Sequence, residues 1–472
     1  MKINSSLFAL ALGLSLMTQA EAGDALPKSV TLALQKANIP TSSVAVVVQE
    51  AGSRQASLQL NANEPMNPAS VMKLVTTYAG LENLGPTYTW HTIAYSSSPV
   101  VDGVLNGDLY LKGSGDPRLT FEQFWLLLRQ IRAQGIREIR GNLVLDRSAF
   151  NVPANGNTLI TAPSNFDDQP LRPYNVKPDA LLLNWKSIRI QLSIADNKLR
   201  IQTEPQPANL YLISQVNLVD GDCGDWKERL RTDVSERQDR FHLVITGNYP
   251  RSCGDQAWNL GVLEHPQYVF GVFRQLWEEL GGSISGGVRE GVIPANAREL
   301  GNIESAPLSE IIRDINKFSN NVMARQLYLA LGNGNPANSA TTVRTWLNKK
   351  SLNLPELVLE NGSGLSRNER ISAASLAALL NSAWKGPLMP EMMASLPILG
   401  IDGTLKKRLR DGNATGQGHL KTGTLEGVKT IAGYMRDKQG KWQIVVFLIN
   451  HPQAAAGQAA QDALLQWVAE NK

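Results

Sequence analysis

The sequence has 472 residues, 43% hydrophobic and 19% charged, enough for two or three domains and without the polar bias of a disordered chain. Its formal charge of +4 is scattered along the chain, which argues against a nucleic-acid footprint and leaves at most a weak attraction to anionic surfaces. The histidines, His91, His242, His265, His419 and His451, show no His-Glu-x-x-His or other metal spacing, which disfavours a metal hydrolase and gives no sign of a cofactor.

Residues 1–22 read as an export peptide: Lys2, the apolar run Leu7 to Met17, then Ala20-Glu21-Ala22 as a cleavage signal before Gly23. No later stretch reaches the roughly 18 uninterrupted apolar residues of a membrane helix, so no transmembrane segment is expected. "SVAVVVQEAG" and "RQASLQLNANEPM" read as two strands joined by a glycine turn, and "PASVMKLVTTYAGLENLG" as a loop that becomes an apolar helix. From about residue 96 the texture changes. "VVDGVLNGDLYLKGSGDPRLT" reads as strand, turn, strand, "FEQFWLLLRQIRAQG" as a helix closed by Gly135, and "IRGNLVLD" as a strand.

Residues 150–180, with Pro153, Pro163, Pro170, Pro173 and Pro178, read as loop. "SIRIQLSIA", "KLRIQTE", "LYLISQVNLV" and "RFHLVITGNY" follow as short alternating strands, a mostly antiparallel segment that contains Cys223 and Cys253. In an exported chain this even pair, bounded by turn residues, reads as one disulfide, with catalytic thiols the poorer alternative. Helical texture resumes in "QYVFGVFRQLWEELGG" and "PLSEIIRDINKFSNNVMARQLYLALG". The chain closes with the β segments "GHLKTGTLEGVKTIAGYMRD" and "KWQIVVFLIN" and the helix "AQDALLQWVAENK". This ending suggests that the end of the chain pairs with its beginning. No repeat of 20 to 50 residues is apparent, which disfavours solenoids and propellers.

Ser70 and Lys73 stand at the mouth of the apolar helix, where i and i+3 share a face. By itself this is weak, since Ser382 and Lys385 repeat the spacing and a serine there is more often a cap. Position raises it: a loop at Pro68-Ala69 precedes the helix, and backbone N–H groups at a helix N-terminus would stabilise a developing oxyanion. A serine nucleophile needs a base, and a lysine at its reference pKa is neutral in only about one molecule in a few thousand at pH 7. Burial or a second cation must depress it. Lys421, in Lys421-Thr422-Gly423 on a strand, offers that cation. Gly423 leaves room for a ligand backbone, and an exposed edge there could pair with an extended peptide. Ser-x-Asn occurs three times, at Ser319 to Asn321, Ser351 to Asn353 and Ser366 to Asn368. Only Ser319 falls where a loop meets an apolar helix.

Ser-x-x-Lys, Ser-x-Asn and Lys-Thr-Gly in that order form the triple of penicillin-binding proteins and class A β-lactamases. With "DLYLKGSGDPRLT", "KFSNNVMARQLYL", "NGSGLSR" and "HLKTGTLEGVKTIAGYM", the chain resembles the low-molecular-mass penicillin-binding proteins of the D-alanyl-D-alanine carboxypeptidase/endopeptidase type, the peptidase S13 group similar to penicillin-binding protein 4. The resemblance covers most of the mature chain and is densest at its two ends.

It implies an α/β (α+β) fold, a transpeptidase/β-lactamase-like domain with an antiparallel sheet flanked by helices, formed by 23–95 and 296–472. A large, mostly β insertion, 96–295, would interrupt it, with 180–255 its nested part. By resemblance Ser70 is the acylated nucleophile, Lys73 its base, and Ser319 and Asn321 the proton relay and substrate-amide contact. Lys421 and Thr422 would hold the terminal carboxylate of D-Ala-D-Ala, and the N–H groups of Ser70 and Thr424 would form the oxyanion hole. Asp168, Arg367 and Glu426 map onto a pocket for the stem-peptide diamino acid. Glu426 stands where a glutamine is expected and favours an ammonium over a carboxylate, and Asn361 stands where an aspartate is commoner. The implied activity is a periplasmic serine DD-carboxypeptidase and DD-endopeptidase acting on peptidoglycan peptides and acylated by β-lactam antibiotics, without metal or cofactor. The alternatives are a β-lactamase, for which no dedicated water-activating acid is evident, and a non-catalytic cell-wall binding module.

Overall fold

The structure, a computed structural model, describes residues 25–151, 166–237 and 240–471. The export peptide expected over 1–22, and Pro153 and Pro163 of the expected loop, lie outside the described residues.

The chain's two ends build one five-stranded antiparallel sheet. Its order is Gly418–Leu425, Val428–Arg436, Trp442–Asn450, Val44–Glu50 and Ala56–Leu60. Val44 to Val48 are all buried, as are Gln443 to Ile449. A continuous apolar run of this kind needs cover on both faces. Alternate side chains supply the two cores: Val46, Val48, Phe447 and Ile449 pack against Val30, Leu34, Leu464 and Val468 of the terminal helices Lys28–Lys36 and Gln458–Asn471. Ala45, Val47, Val446 and Leu448 face the opposite way, into a cluster with Leu74, Val75 and Tyr78, Ile311, Leu327, Trp346 and Leu376. The sheet is therefore the middle of three layers, and the expected pairing of the end with the beginning is observed as Val46 opposite Phe447. The helix Lys73–Leu84, buried from Lys73 to Leu81, is the centre of the second helical layer.

The strands between residues 91 and 304 form separate sheets. The outgoing strand His91–Ser96 pairs with the returning strand Arg298–Glu304, His91 opposite Glu304, so the excursion leaves and re-enters at one place. Leu109–Gly113, Leu143–Asp146 and Val288–Glu290 complete that five-stranded sheet, parallel to one another. The helix Phe121–Ala133 packs nearby, started by a capping box of Thr120 and Gln123. Ile188–Ala195, Lys198–Glu204 and Gln256–Leu260 make an antiparallel sheet, as the alternation suggests. The next sheet departs from that reading. Leu210–Val219 runs parallel to Arg240–Pro250, and Leu230–Arg237, a strand not foreseen, lies antiparallel on the other side of Arg240–Pro250. The crossover between these strands carries Cys223, which is bonded to Cys253 with Cα atoms 4.7 Å apart.

The two regions meet on Gln326. Its Nε2 donates to the carbonyl oxygens of Asp179 at 2.8 Å, Gly115 at 3.2 Å and Asp116 at 3.4 Å, and its Oε1 accepts from the N–H of Asp179 at 2.9 Å. Among the described residues no helix is long and apolar enough to cross a membrane.

Candidate active site

Ser70 lies in a 3-10 turn, Ala69–Met72, that runs directly into the helix beginning at Lys73. Three residues per turn eclipse positions i and i+3, so the turn brings Ser70 Oγ and Lys73 Nζ to 2.9 Å. The preceding backbone is pinned from several directions. Ala69 is left-handed, with φ of 45°, and its N–H donates to Asn67 Oδ1 at 2.9 Å. Asn67 is gripped by Asn450 through both backbone groups, and Thr430 Oγ1 donates to the carbonyl of Pro68 at 2.7 Å. Left-handed Ala69 costs about 1 to 2 kcal/mol, and these contacts hold it.

Lys73 is 0% exposed. Besides Ser70, its Nζ has two carbonyl oxygens as partners, Asn321 Oδ1 at 2.6 Å and Ser363 O at 2.5 Å. Burial first, then the nearby Lys421 and Arg325, drive its pKa well below the usual lysine value, against an opposing pull from Glu369. Ser363 was not foreseen as a site residue, because a backbone carbonyl leaves no mark in a sequence. Its loop is organised by Asn361: the amide oxygen accepts from Ser363 N and Oγ, and the amide nitrogen donates to Leu365 O. An aspartate could do the first but not the second. Gly364, at φ of 82°, is required here, since a Cβ would stand 1.9 Å from Ala69 O.

Lys421 is also 0% exposed and lies on the edge strand, opposite Ala432. Its Nζ donates to Ser319 Oγ at 2.8 Å and to Thr422 O at 2.6 Å, and burial lowers its pKa to about 7. Ser319 holds a left-handed φ of 56° just before the helix Asn321–Ala330, which Asn320 caps. The sequence offers Lys421 as a standing cation; burial instead brings its titration near neutrality. Thr422 Oγ1 meets Thr404 Oγ1 at 2.8 Å, a partner the sequence did not indicate. Gly423 has a different reason from the expected one. A Cβ there would stand 2.9 Å from Ser70 N, 2.8 Å from Pro68 O and 2.3 Å from Thr430 Oγ1, so the space belongs to the protein's own turn. Thr424 is exposed on the same edge.

The competing copies of each short motif separate on geometry. Ser382 Oγ lies 3.5 Å from Tyr78 Oη, and Ser366 Oγ donates to Glu360 Oε2 at 2.5 Å while accepting from Asn368 N. Arg367 and Glu426 do come together, Nη2 to Oε2 at 3.2 Å and Nη1 to the Glu426 carbonyl at 3.1 Å. The guanidinium also covers the ring of Phe166 at 4.8 Å. Asp168 is exposed. It is its neighbour Asp167 that accepts hydrogen bonds, from Tyr174 Oη at 2.7 Å and Asn175 Nδ2 at 3.2 Å. Tyr174 in turn offers its carbonyl to Asn321 Nδ2 at 3.4 Å, so this segment borders the site.

A serine and a buried lysine in contact, below an edge strand carrying a second buried lysine, within a three-layer α+β fold, define the transpeptidase and β-lactamase type of architecture. The profile of the D-Ala-D-Ala carboxypeptidase 3 (S13) family matches residues 26–471, and the chain belongs to that family. It is 29% identical to a D-alanyl-D-alanine carboxypeptidase of Actinomadura sp., over 90% of this chain and 81% of the relative. It is 26% identical to the D-alanyl-D-alanine carboxypeptidase DacB of Haemophilus influenzae, over 87% and 85%. The crystal structure of penicillin binding protein 4 from Haemophilus influenzae superposes with a TM-score of 0.74 at 24% identity, covering 92% of this chain and 98% of that one.

Proposed function

We propose that this protein is an exported, periplasmic serine DD-carboxypeptidase and DD-endopeptidase that cleaves peptidoglycan stem peptides at Ser70 and is acylated there by β-lactams. The observation that carries the reading is the hydrogen-bonding of Lys73. A neutral amine has two N–H groups and one lone pair. In that neutral form, which burial and the neighbouring cations favour, Asn321 Oδ1 and Ser363 O take the two N–H groups, and the 2.9 Å contact between Nζ and Ser70 Oγ is then the hydroxyl donating to the lone pair. That is the arrangement of a base waiting for a proton.

In the proposed reaction Ser70 Oγ attacks the carbonyl carbon of the penultimate D-Ala as its proton passes to Lys73. The N–H groups of Ser70 and Thr424 receive the oxyanion. Collapse breaks the C–N bond, and the leaving amine takes a proton through Ser319 and Lys421, which touch. Water then attacks the ester, its proton returning by the same bases, and frees Ser70. Lys421 and Thr422 hold the terminal carboxylate, while Arg367 and Glu426, with Asp168 nearby in sequence to the bordering segment, face the diamino acid. Because Glu426 is paired with Arg367, the two offer one group for a carboxylate and one for an ammonium. That the relatives are D-alanyl-D-alanine carboxypeptidases supports the substrate class.

A fluorescent penicillin tests this directly. Durable labelling of the wild type and none of Ser70→Ala, with an unchanged melting temperature, is the expected result. Rapid loss of label points to a β-lactamase, and an unlabelled wild type to a non-catalytic binding module. Mass analysis of digested muropeptides then reports whether terminal D-Ala or crosslinks are cut.

A further inference from the structure

Two charged groups outside the motif triple stand on the elements that hold Lys73. Arg325 is one turn beyond Asn321 on the same helix, so the two share a face. Its Nη1 donates to the carbonyl of Val176 at 3.5 Å, and its Nε is buried without a partner among the described residues. Glu369 is 0% exposed. Its Oε1 accepts the N–H groups of Glu360 and Asn361, each at 3.0 Å, where the loop that presents Ser363 begins. Its Oε2 is buried without a partner among the described residues. Buried charges are ordinarily paired; here the Glu369 carboxyl is near enough to favour the charged form of Arg325, without a side-chain contact between the two among the described residues.

We propose that Arg325 and Glu369 are positioning residues that act on Lys73 with opposite sign, the guanidinium driving the proton off its amine and the carboxyl drawing it on. The proposal rests on the reading of Ser70 and Lys73 as nucleophile and base. The groups facing Lys73 are few. Ser70 comes from its own turn, Asn321 and Arg325 from the following helix, Ser363 O and Glu369 from the Asn361 loop, and Lys421 from the edge strand. Of the charges, Lys421 and Arg325 lower the affinity of Lys73 for a proton and Glu369 raises it. Burial pushes the Glu369 carboxyl up, while N–H groups of Asn361, Glu360 and Gly362 hold it down. When Lys73 takes the proton of Ser70, it becomes a cation beside Arg325 and a partly protonated Lys421. Glu369 is the only carboxylate among these groups that can offset it. Arg325 thus keeps the base free before attack, and Glu369 stabilises its ammonium afterwards.

The test is the pH dependence of acylation by a fluorescent penicillin, measured on the full chain. Its acid limb follows the deprotonation of Lys73 and does not depend on how much of the preparation is folded. Arg325→Gln should move the limb to higher pH by about one unit, and Glu369→Gln to lower pH by a similar amount. Arg325→Lys should leave it in place. Arg325→Met and Glu369→Met make the same charge changes in a different shape, should either glutamine variant fail to fold. Limbs that stay put, or that move in the same direction in both variants, overturn the proposal; a purely structural role would lower the rate without moving the limb. An unacylated wild type would instead overturn the assignment of Ser70 and Lys73.

Discussion

At the scale of single residues, the site is built around two lysines that the fold keeps dry. Burial holds their pKa values below the ordinary lysine range, Lys421 to about 7. The unfolded chain therefore binds protons that the folded chain does not, and stability rises with pH from about 7 toward the ordinary lysine value. Replacing one amine with an apolar side chain should remove part of that slope. Lys73→Met is expected to lose about 10² to 10⁴-fold in the rate of β-lactam acylation. It leaves Asn321 Oδ1 and Ser363 O without their donor at every pH, but it also removes the cost of holding an amine neutral, so its melting temperature should gain on the wild type as pH falls. Melting curves at several pH values check this, and a difference that does not change toward acid pH would contradict it. The contacts of Ser70 with Lys73 and of Lys421 with Ser319 were legible because side chains in three short motifs make them. Ser363 and Thr404 were not. One contributes only a carbonyl, and the other is a hydroxyl whose partner, Thr422, is near only after folding. Asp167 and Asp168 are equivalent as letters, and only the fold shows which one binds Tyr174.

At the scale of elements, the edge strand and the Ser70 turn behave as one unit. Gly423 lets the strand lie against Ser70 N and Pro68 O, and Thr430 on the adjacent strand ties down the same carbonyl. Gly423→Ala should force the strand off the turn, costing about 1 to 3 kcal/mol and about 10²-fold in acylation rate through misplacement of the proposed oxyanion donors. Rates and melting curves measured together check it; a full-rate variant would show that the two elements move independently. The strands of the sheet were readable from period and apolar runs, and so was the disulfide, from an even cysteine pair bounded by turn residues. The direction of Leu210–Val219 was not, because alternation is the same in parallel and antiparallel pairs. Leu230–Arg237 was missed because its charged and polar residues dilute the period, Leu230 being its only fully buried side chain.

At the scale of the whole molecule, the region between 91 and 304 is joined to the helix that carries Asn321 through Gln326. Gln326→Leu leaves the buried N–H and carbonyl of Asp179, and the carbonyls of Gly115 and Asp116, without that partner. A loss on the order of 3 kcal/mol follows. Calorimetry should show the unfolding transition broaden or split, since this side chain couples separately packed clusters. One sharp transition at the wild-type midpoint would refute it.

The central sheet takes two of its strands from the start of the chain and three from its end, and this sets an order of events during synthesis. A nascent polypeptide halted before residue 418 already holds Ser70 and Lys73, but not the edge that brings Lys421 to Ser319. On the proposed mechanism its site is incomplete, and it becomes whole only when the last strands pair with the first.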